Sequence, residues 1–268
     1  MGENTSLMTV ALAGLGTTAV LAFATWLASL ARRDASLIDR VWSLCILAAA
    51  AMYFFLLPPQ AVPRGLCMLL IATVWALRLS AFISWRNWGH GEDRRYSQIR
   101  ERNQPNFGFK SLYLVFGLQA VLAWIVSAPF LAGMSAAREL NMLDAAGMGL
   151  ALFGVAFESI GDAQMARFKA DAANRGKVMD RGLWRYTRHP NYFGEACVWW
   201  GLWLMAMAGA GWSGAWAAVS PVLMTVLLLK VSGVSLLEKD IAERRPAYRD
   251  YIARTNAFVP GPRRGEPR

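Results

Sequence analysis

Residues 7–31 read LMTVALAGLGTTAVLAFATWLASLA, and Arg32, Arg33 and Asp34 follow at once. An uncharged run of that length can cross hydrocarbon about 30 Å thick, which takes roughly 20 helical residues at 1.5 Å each. Six more predominantly apolar runs of spanning length lie near 37–57, 65–84, 111–132, 143–166, 191–210 and 212–236. The composition agrees. Of 268 residues, 56% are hydrophobic and 17% charged, and the mean hydropathy is +0.30. A soluble domain carries about 25% charged residues, and a disordered chain is poor in apolar ones. The expected fold is all-α: a polytopic membrane bundle of about seven transmembrane helices forming one domain over residues 1–260, with a polar tail at 261–268.

Charge orients the bundle. Of 28 Lys and Arg residues, all but Arg64 and Arg138 fall in loop 32–36, loop 85–110, loop 167–190, the C-terminal segment or the adjoining helix ends. Excess Lys and Arg mark cytoplasmic loops, so the N-terminus is expected outside and the C-terminus in the cytoplasm. No basic segment precedes the first run, which reads as a retained span and not a signal peptide. Residues 238–259 set Ile241, Tyr248, Tyr251 and Ile252 among Arg244, Arg245, Arg249 and Arg254, the pattern of an amphipathic helix lying on a membrane. The two longest loops share that face, so chemistry is expected to open toward the cytoplasm.

The same sidedness accounts for the net charge of +10 without nucleic acid as a partner. His90 and His189 are the only histidines, which argues against a metal centre. Cys45, Cys67 and Cys197 lie inside apolar runs and are expected as free buried thiols.

Ionisable side chains inside spans cost about 2.5–3.5 kcal/mol each at mid-bilayer on insertion scales, so those present need a reason. Glu158, Asp162 and Lys169 share one stripe of the fifth run, by spacings of four and seven. Asn191 and Glu195 share a face of the sixth. Asp39 and Arg40 open the second run, and Lys230, Glu238, Lys239 and Asp240 close the seventh. These residues point to a polar pocket reached from the inner face. Guanidinium forks there suit phosphate, and the first turn of a helix beginning at Pro190 offers N–H groups to an anion. The bland alternative is pairing among the charges themselves, such as Asp162 with Arg167, Glu195 with Arg188, or Asp39 with Arg40. Trp199, Trp200 and Trp203 read as lipid-facing packing. No Rossmann fingerprint is present.

The run Gly182-Leu-Trp-Arg-Tyr-Thr-Arg-His-Pro-Asn-Tyr-Phe-Gly-Glu195 closely resembles the signature of the steroid 5-alpha-reductase-like membrane proteins, particularly their bacterial branch. Sterol C=C reductases share its Arg-His-Pro-Asn-Tyr pattern. The resemblance extends to Asp162, Gln164, Phe168 and Lys169, to the loop holding Arg86-Asn87-Trp88-Gly89 and Arg95-Tyr96, and to Tyr248, Tyr251 and Phe258-Val259-Pro260. It implies an integral protein of a bacterial inner membrane that binds NADPH from the cytoplasm and reduces an activated C=C bond of a steroid-like or lipid-like substrate. It further implies that Asp162, Lys169, Arg188, Asn191, Tyr192 and Glu195 line the cofactor site, that Trp184 and His189 border it, and that Lys230 and Glu238 add contacts.

The animal steroid reductases use an acidic and tyrosyl pair against the substrate carbonyl. That pair is not recognisable here as a motif, and Asp39 (with Trp42 beside it) and Tyr96 are the nearest candidates for the catalytic donor. Such a donor polarises the carbonyl while hydride reaches the β-carbon. Two other classes remain open. Membrane methyltransferases of the isoprenylcysteine and phospholipid type look similar over the Arg-His-Pro run and bind S-adenosylmethionine. A non-enzymatic lipid-binding membrane protein would need none of these groups.

Overall fold

The computed structural model describes residues 6–57, 62–231, 234, 238 and 246–264. Among them the chain is helical throughout, with no strand, and six helices are long and apolar enough to cross a membrane. Their outward faces are apolar: Met8, Val20, Phe55, Leu70 and Met142 are all more than half exposed. Water would penalise such a surface at roughly 25 cal/mol per Å², whereas lipid tails would not.

The chain divides into two compact units. The first is Met1–Ala145 with Trp203–Ser220. In it α1 (Leu7–Arg32) starts where Ser6 Oγ accepts the Thr9 N–H at 3.2 Å, and stops at Arg33, whose backbone is left-handed (φ 52°). After one tight turn α2 (Leu37–Leu56) runs back along it. Gly14 makes this contact possible, since a Cβ there would lie 2.3 Å from the Tyr53 hydroxyl. That hydroxyl meets Ser127 Oγ at 3.0 Å. α3 (Val62–Arg86) and the short α4 (Arg94–Arg102) follow. The next crossing, Phe107–Met134, is assembled from α5 (Phe107–Ser111), a π-helical turn at Leu112–Gly117, α6 (Leu118–Val126) and α7 (Ala128–Met134). Ala22, Ile38, Tyr96, Phe107 and Phe116 pack into one buried cluster.

Near the start of α3, Arg64 is buried to 1% exposure. Its fork grips Asp144 with Nε–Oδ1 at 2.7 Å and Nη2–Oδ2 at 2.8 Å, and it also donates to the Arg138 and Glu139 carbonyls. One of the two basic residues set apart by the sidedness count is therefore a buried strut.

The second unit is Ala146–Leu202 with Pro221–Arg268. α8 (Met142–Ala170) and α9 (Pro190–Ala210) touch backbone to backbone along small residues. A Cβ on Gly194 would stand 2.6 Å from Glu158 N and 2.7 Å from Gly154 O, and one on Gly201 would stand 2.5 Å from Gly147 O. Close approach through small residues is how membrane helices associate where no hydrophobic drive exists.

The last long helix, Pro190–Val231, has 42 residues. At 1.5 Å each that is about 63 Å, twice the hydrocarbon thickness. It is broken at Gly211 (φ 61°), which opens a 3-10 stretch, Gly211–Ala218, before α10 (Val219–Val226). Trp200 Nε1 donates to Thr225 Oγ1 at 3.3 Å. A straight helix would hold residues 25 apart at about 38 Å, so the two arms fold back on each other. The sixth and seventh runs of the sequence are these arms.

Only Ala247–Arg254 of the expected C-terminal helix lies in a described helix, here α11. Tyr251 on it is buried against protein, its hydroxyl donating to the Trp184 carbonyl at 2.5 Å. Ile241, Arg244, Arg245, Lys239, Asp240 and residues 265–268 lie outside the described residues. Trp199 corrects its expectation: it is fully buried, with Nε1 donating to Glu195 Oε1 at 2.9 Å. The cysteines are free; Cys45 and Cys197 are buried, whereas Cys67, expected to be buried with them, is only half-buried.

Candidate functional site

In the first unit the polar residues gather where α2 begins. Asp39 sits in its first turn. Asp93 caps α4 by accepting the Arg95 N–H at 2.9 Å, which sets Arg95 and Tyr96 on the first turn of that helix. From there Tyr96 Oη donates to Asp39 Oδ1 at 2.5 Å and Arg95 Nη2 donates to Asp39 Oδ2 at 2.8 Å. Arg95 Nε reaches Asp93 Oδ1 at 3.0 Å. The two catalytic candidates offered for the acidic and tyrosyl pair are thus bonded to each other.

Burial, reinforced by the Asp39 charge and hydrogen bond, lifts the Tyr96 phenol far above its usual range, so it remains an O–H donor at any physiological pH. Burial of Arg95 disfavours its charge, but Asp39 and Asp93 outweigh that and hold it firmly cationic. Arg95 is the residue the sequence reading missed. Its only signal was its place beside Tyr96.

A neighbouring clasp keeps the loop in place. Glu92 Oε1 accepts the Ala35 N–H at 2.8 Å and Arg100 Nη2 at 2.7 Å, while Oε2 accepts Arg100 Nε at 2.8 Å. Burial works against ionising Glu92, yet these bonds prevail and its carboxyl lies below the ordinary range.

In the second unit the signature run starts α9. Trp184 is buried and donates to the Gly161 carbonyl at 3.0 Å, while Gln164 Oε1 accepts the Leu183 N–H at 2.9 Å, tying the run to α8. Arg188 (7% exposed) sends Nε and Nη2 to the two carboxylate oxygens of Glu238, and Nη1 to the Ile252 and Thr255 carbonyls. His189 Nε2 lies 2.9 Å from the same Glu238 and its ring stacks on Tyr192 at 5.3 Å. Burial opposes charge on Glu238, but the hydrogen bonds from Arg188 and His189 dominate and bring its carboxyl down to about 2.

The remaining candidates separate by exposure. Asp162 and Glu195 are buried, with Glu158 beside them in sequence and equally buried. Asn191 and Tyr192 are half-buried, and Lys169 and Lys230 are exposed. Arg188 and Glu238 are brought together, as are His189 and Tyr192. Arg188 does not pair with Glu195. The donor set of this unit suits a diphosphate, since Lys169, Arg175, Lys177, Arg181 and Arg185 are clustered in sequence and Lys169 and Arg185 are exposed. Arg188 has four of its five N–H groups committed to protein acceptors. Among the described residues, no group of His, Cys, Asp and Glu could hold a metal ion.

A family model described as a protein of unknown function, DUF1295, matches residues 25–255. An uncharacterised protein of Schizosaccharomyces pombe is 25% identical over 282 aligned residues, which cover 92% of this chain and 78% of the yeast one. No solved structure matches significantly.

Proposed function

This chain belongs to the DUF1295 family, and we propose that it is a membrane-embedded, NADPH-dependent reductase acting on the activated C=C bond of a steroid-like or lipid-like substrate. The observation that carries the reading is the part-buried 2.5 Å bond between Tyr96 and Asp39. A tyrosyl donor with a carboxylate behind it suits the carbonyl polarisation that enone reduction needs, and methyl transfer does not call for that pair. On this reading the fold-back at Gly211 makes seven crossings in a bacterial inner membrane, with the N-terminus outside and the C-terminus and the site on the cytoplasmic side.

NADPH, when bound, would supply the hydride. Asn191 and Tyr192 would hold it, Lys169 and Arg185 would take its phosphates, and Asp162 and Glu195 would line the site. Trp184 and His189 would border it, and Lys230 and Glu238 would add contacts. Arg188 serves it indirectly, by locking the signature run to Glu238 and residues 252–255. As hydride reaches the β-carbon, negative charge moves to the substrate oxygen. Tyr96 donates its hydrogen there instead of to Asp39, and a proton from water, relayed by the Asp39 carboxylate that already faces the phenol, then restores it, so no phenolate is left against a carboxylate. Arg95 keeps Asp39 in place throughout. The enol reverts to the ketone with a proton on the α-carbon, completing addition of one hydride and one proton.

The test is incubation of the reconstituted protein with membrane lipid extract and NADPH deuterated at the transferring position. The expected product is a lipid gaining one deuterium, lost with Tyr96→Phe. Methylation from S-adenosylmethionine under the same conditions, with no deuterium transfer, would reject the proposal.

A further inference from the structure

A second polar feature of the first unit takes no part in that chemistry. Where α1 ends and α2 begins, against the loop after α3, lies an open depression of about 350 Å³ lined by Arg32, Arg33, Asp34, Arg40, Trp88 and Glu92. Its two carboxylates are occupied. Asp34 Oδ1 accepts the Ser36 N–H at 2.9 Å and the Ser36 hydroxyl at 2.5 Å. Glu92 is held by Arg100 and the Ala35 N–H.

Its arginines are not occupied to the same degree. The side chains of Arg32 and Arg33 make no hydrogen bond among the described residues. Among the described residues Arg40 reaches only the Asn87 carbonyl at 3.4 Å and Asp34 at 3.9 Å, and its buried Nε has no partner. Positive-inside topology explains why arginines lie on this face. It does not explain a concave site lined by three arginines whose neighbouring acids are already engaged.

We infer that this depression binds the phosphate group of an anionic phospholipid. Guanidinium forks match phosphate oxygens, and Arg40, which lines the depression, carries a buried Nε donor with no partner among the described residues. The surroundings favour a lipid as the source of the phosphate. Trp88 (78% exposed) and Trp85 (64%) flank the loop, and indoles settle at headgroup level. Leu27 and Leu30, one turn before the arginines on α1, are exposed apolar surface on which acyl chains can lie. The inference does not rest on the reductase reading.

The experiment is native mass spectrometry of the full chain released from nanodiscs of equal phosphatidylglycerol and phosphatidylcholine. Retained phosphatidylglycerol should exceed phosphatidylcholine. Each guanidinium near an anionic headgroup is worth about fivefold in affinity, so the double variant Arg33→Gln, Arg40→Gln should lower that preference about 25-fold. Arg102→Gln, on the exposed end of α4, should leave it unchanged, and an unaltered thermal midpoint shows each variant folded. Should the double variant misfold, Arg32→Gln alone should still cost about fivefold. Equal retention of the two lipids, or wild-type preference in a folded double variant or in Arg32→Gln, would overturn the inference. So would displacement of the lipid by millimolar inorganic phosphate or 2′,5′-ADP, which would give the site to a soluble phosphate.

Discussion

Arg188 holds Glu238, fifty positions later, with both arms of its guanidinium, Nε to Oε1 at 2.7 Å and Nη2 to Oε2 at 2.8 Å. A basic residue at the mouth of a helix is an obvious phosphate ligand when read in sequence, yet here it fastens the signature run to the C-terminal segment. The Arg188 N–H donates to the Asn256 carbonyl and the Gly261 N–H to the Tyr186 carbonyl, so the two strips of chain run side by side. The pair positions the start of α9, and any effect on cofactor binding passes through that geometry.

Acid should loosen this clasp. The Glu238 carboxyl is lowered in the folded protein from 4.5 to about 2, so its contribution to stability is complete above about 4.5 and is lost as pH falls toward 2. Allowing for solvent screening, the loss is about 1–2 kcal/mol. Glu238→Gln should be less stable at neutral pH and flatter in this window, as read by thermal unfolding in detergent at stepped pH.

Arg64→Ala should cost about 3–5 kcal/mol, because it leaves Asp144 buried without its partner and takes the donors from the Arg138 and Glu139 carbonyls. Denaturant titration in micelles measures it. Arg138→Ala, the other basic residue of that side, should cost well under half as much.

Glycine substitutions on the α8–α9 pair should divide by position. Gly194→Ala forces a Cβ within 2.7 Å of two backbone atoms of α8, and overpacking of this kind costs about 1–3 kcal/mol. Gly149→Ala meets nothing within 4 Å and should stabilise the helix by about 0.5–1 kcal/mol. Thermal midpoints of the two variants should move in opposite directions.

Tyr96→Phe and Asp39→Asn should each lower reductive turnover by about 10²-fold or more, the usual worth of a positioned proton donor, while cofactor affinity is unchanged. Single-turnover oxidation of NADPH alongside equilibrium binding separates the two effects.

The crossings were legible in the sequence because hydropathy is a local property: the runs near 37–57 and 191–210 became helices at Leu37–Leu56 and Pro190–Ala210. The break between the last two arms was visible as Gly209 and Gly211, and the latter does adopt positive φ. Pairing was not legible, because partners depend on register between distant segments. Arg188 precedes its helix and therefore turns to Glu238, while Glu195, one and a half turns into α9, turns to Trp199. Arg64 and Asp144 are eighty positions apart, and the only sign of their union was an arginine on a face with just one other basic residue, Arg138. Asp39 and Tyr96 were found through resemblance and chemistry; that they touch is set by the Asp93 cap, whose reach no composition encodes.

The central claim is that the residues around the start of α9 bind a nicotinamide dinucleotide phosphate. Equilibrium titration of the purified protein with NADPH and with S-adenosylmethionine tests it most directly. NADPH should bind with micromolar or tighter affinity, S-adenosylmethionine poorly, and Asn191→Ala should weaken NADPH without unfolding the protein. Tighter binding of S-adenosylmethionine than of NADPH, or wild-type NADPH affinity in the folded Asn191→Ala variant, would contradict the account.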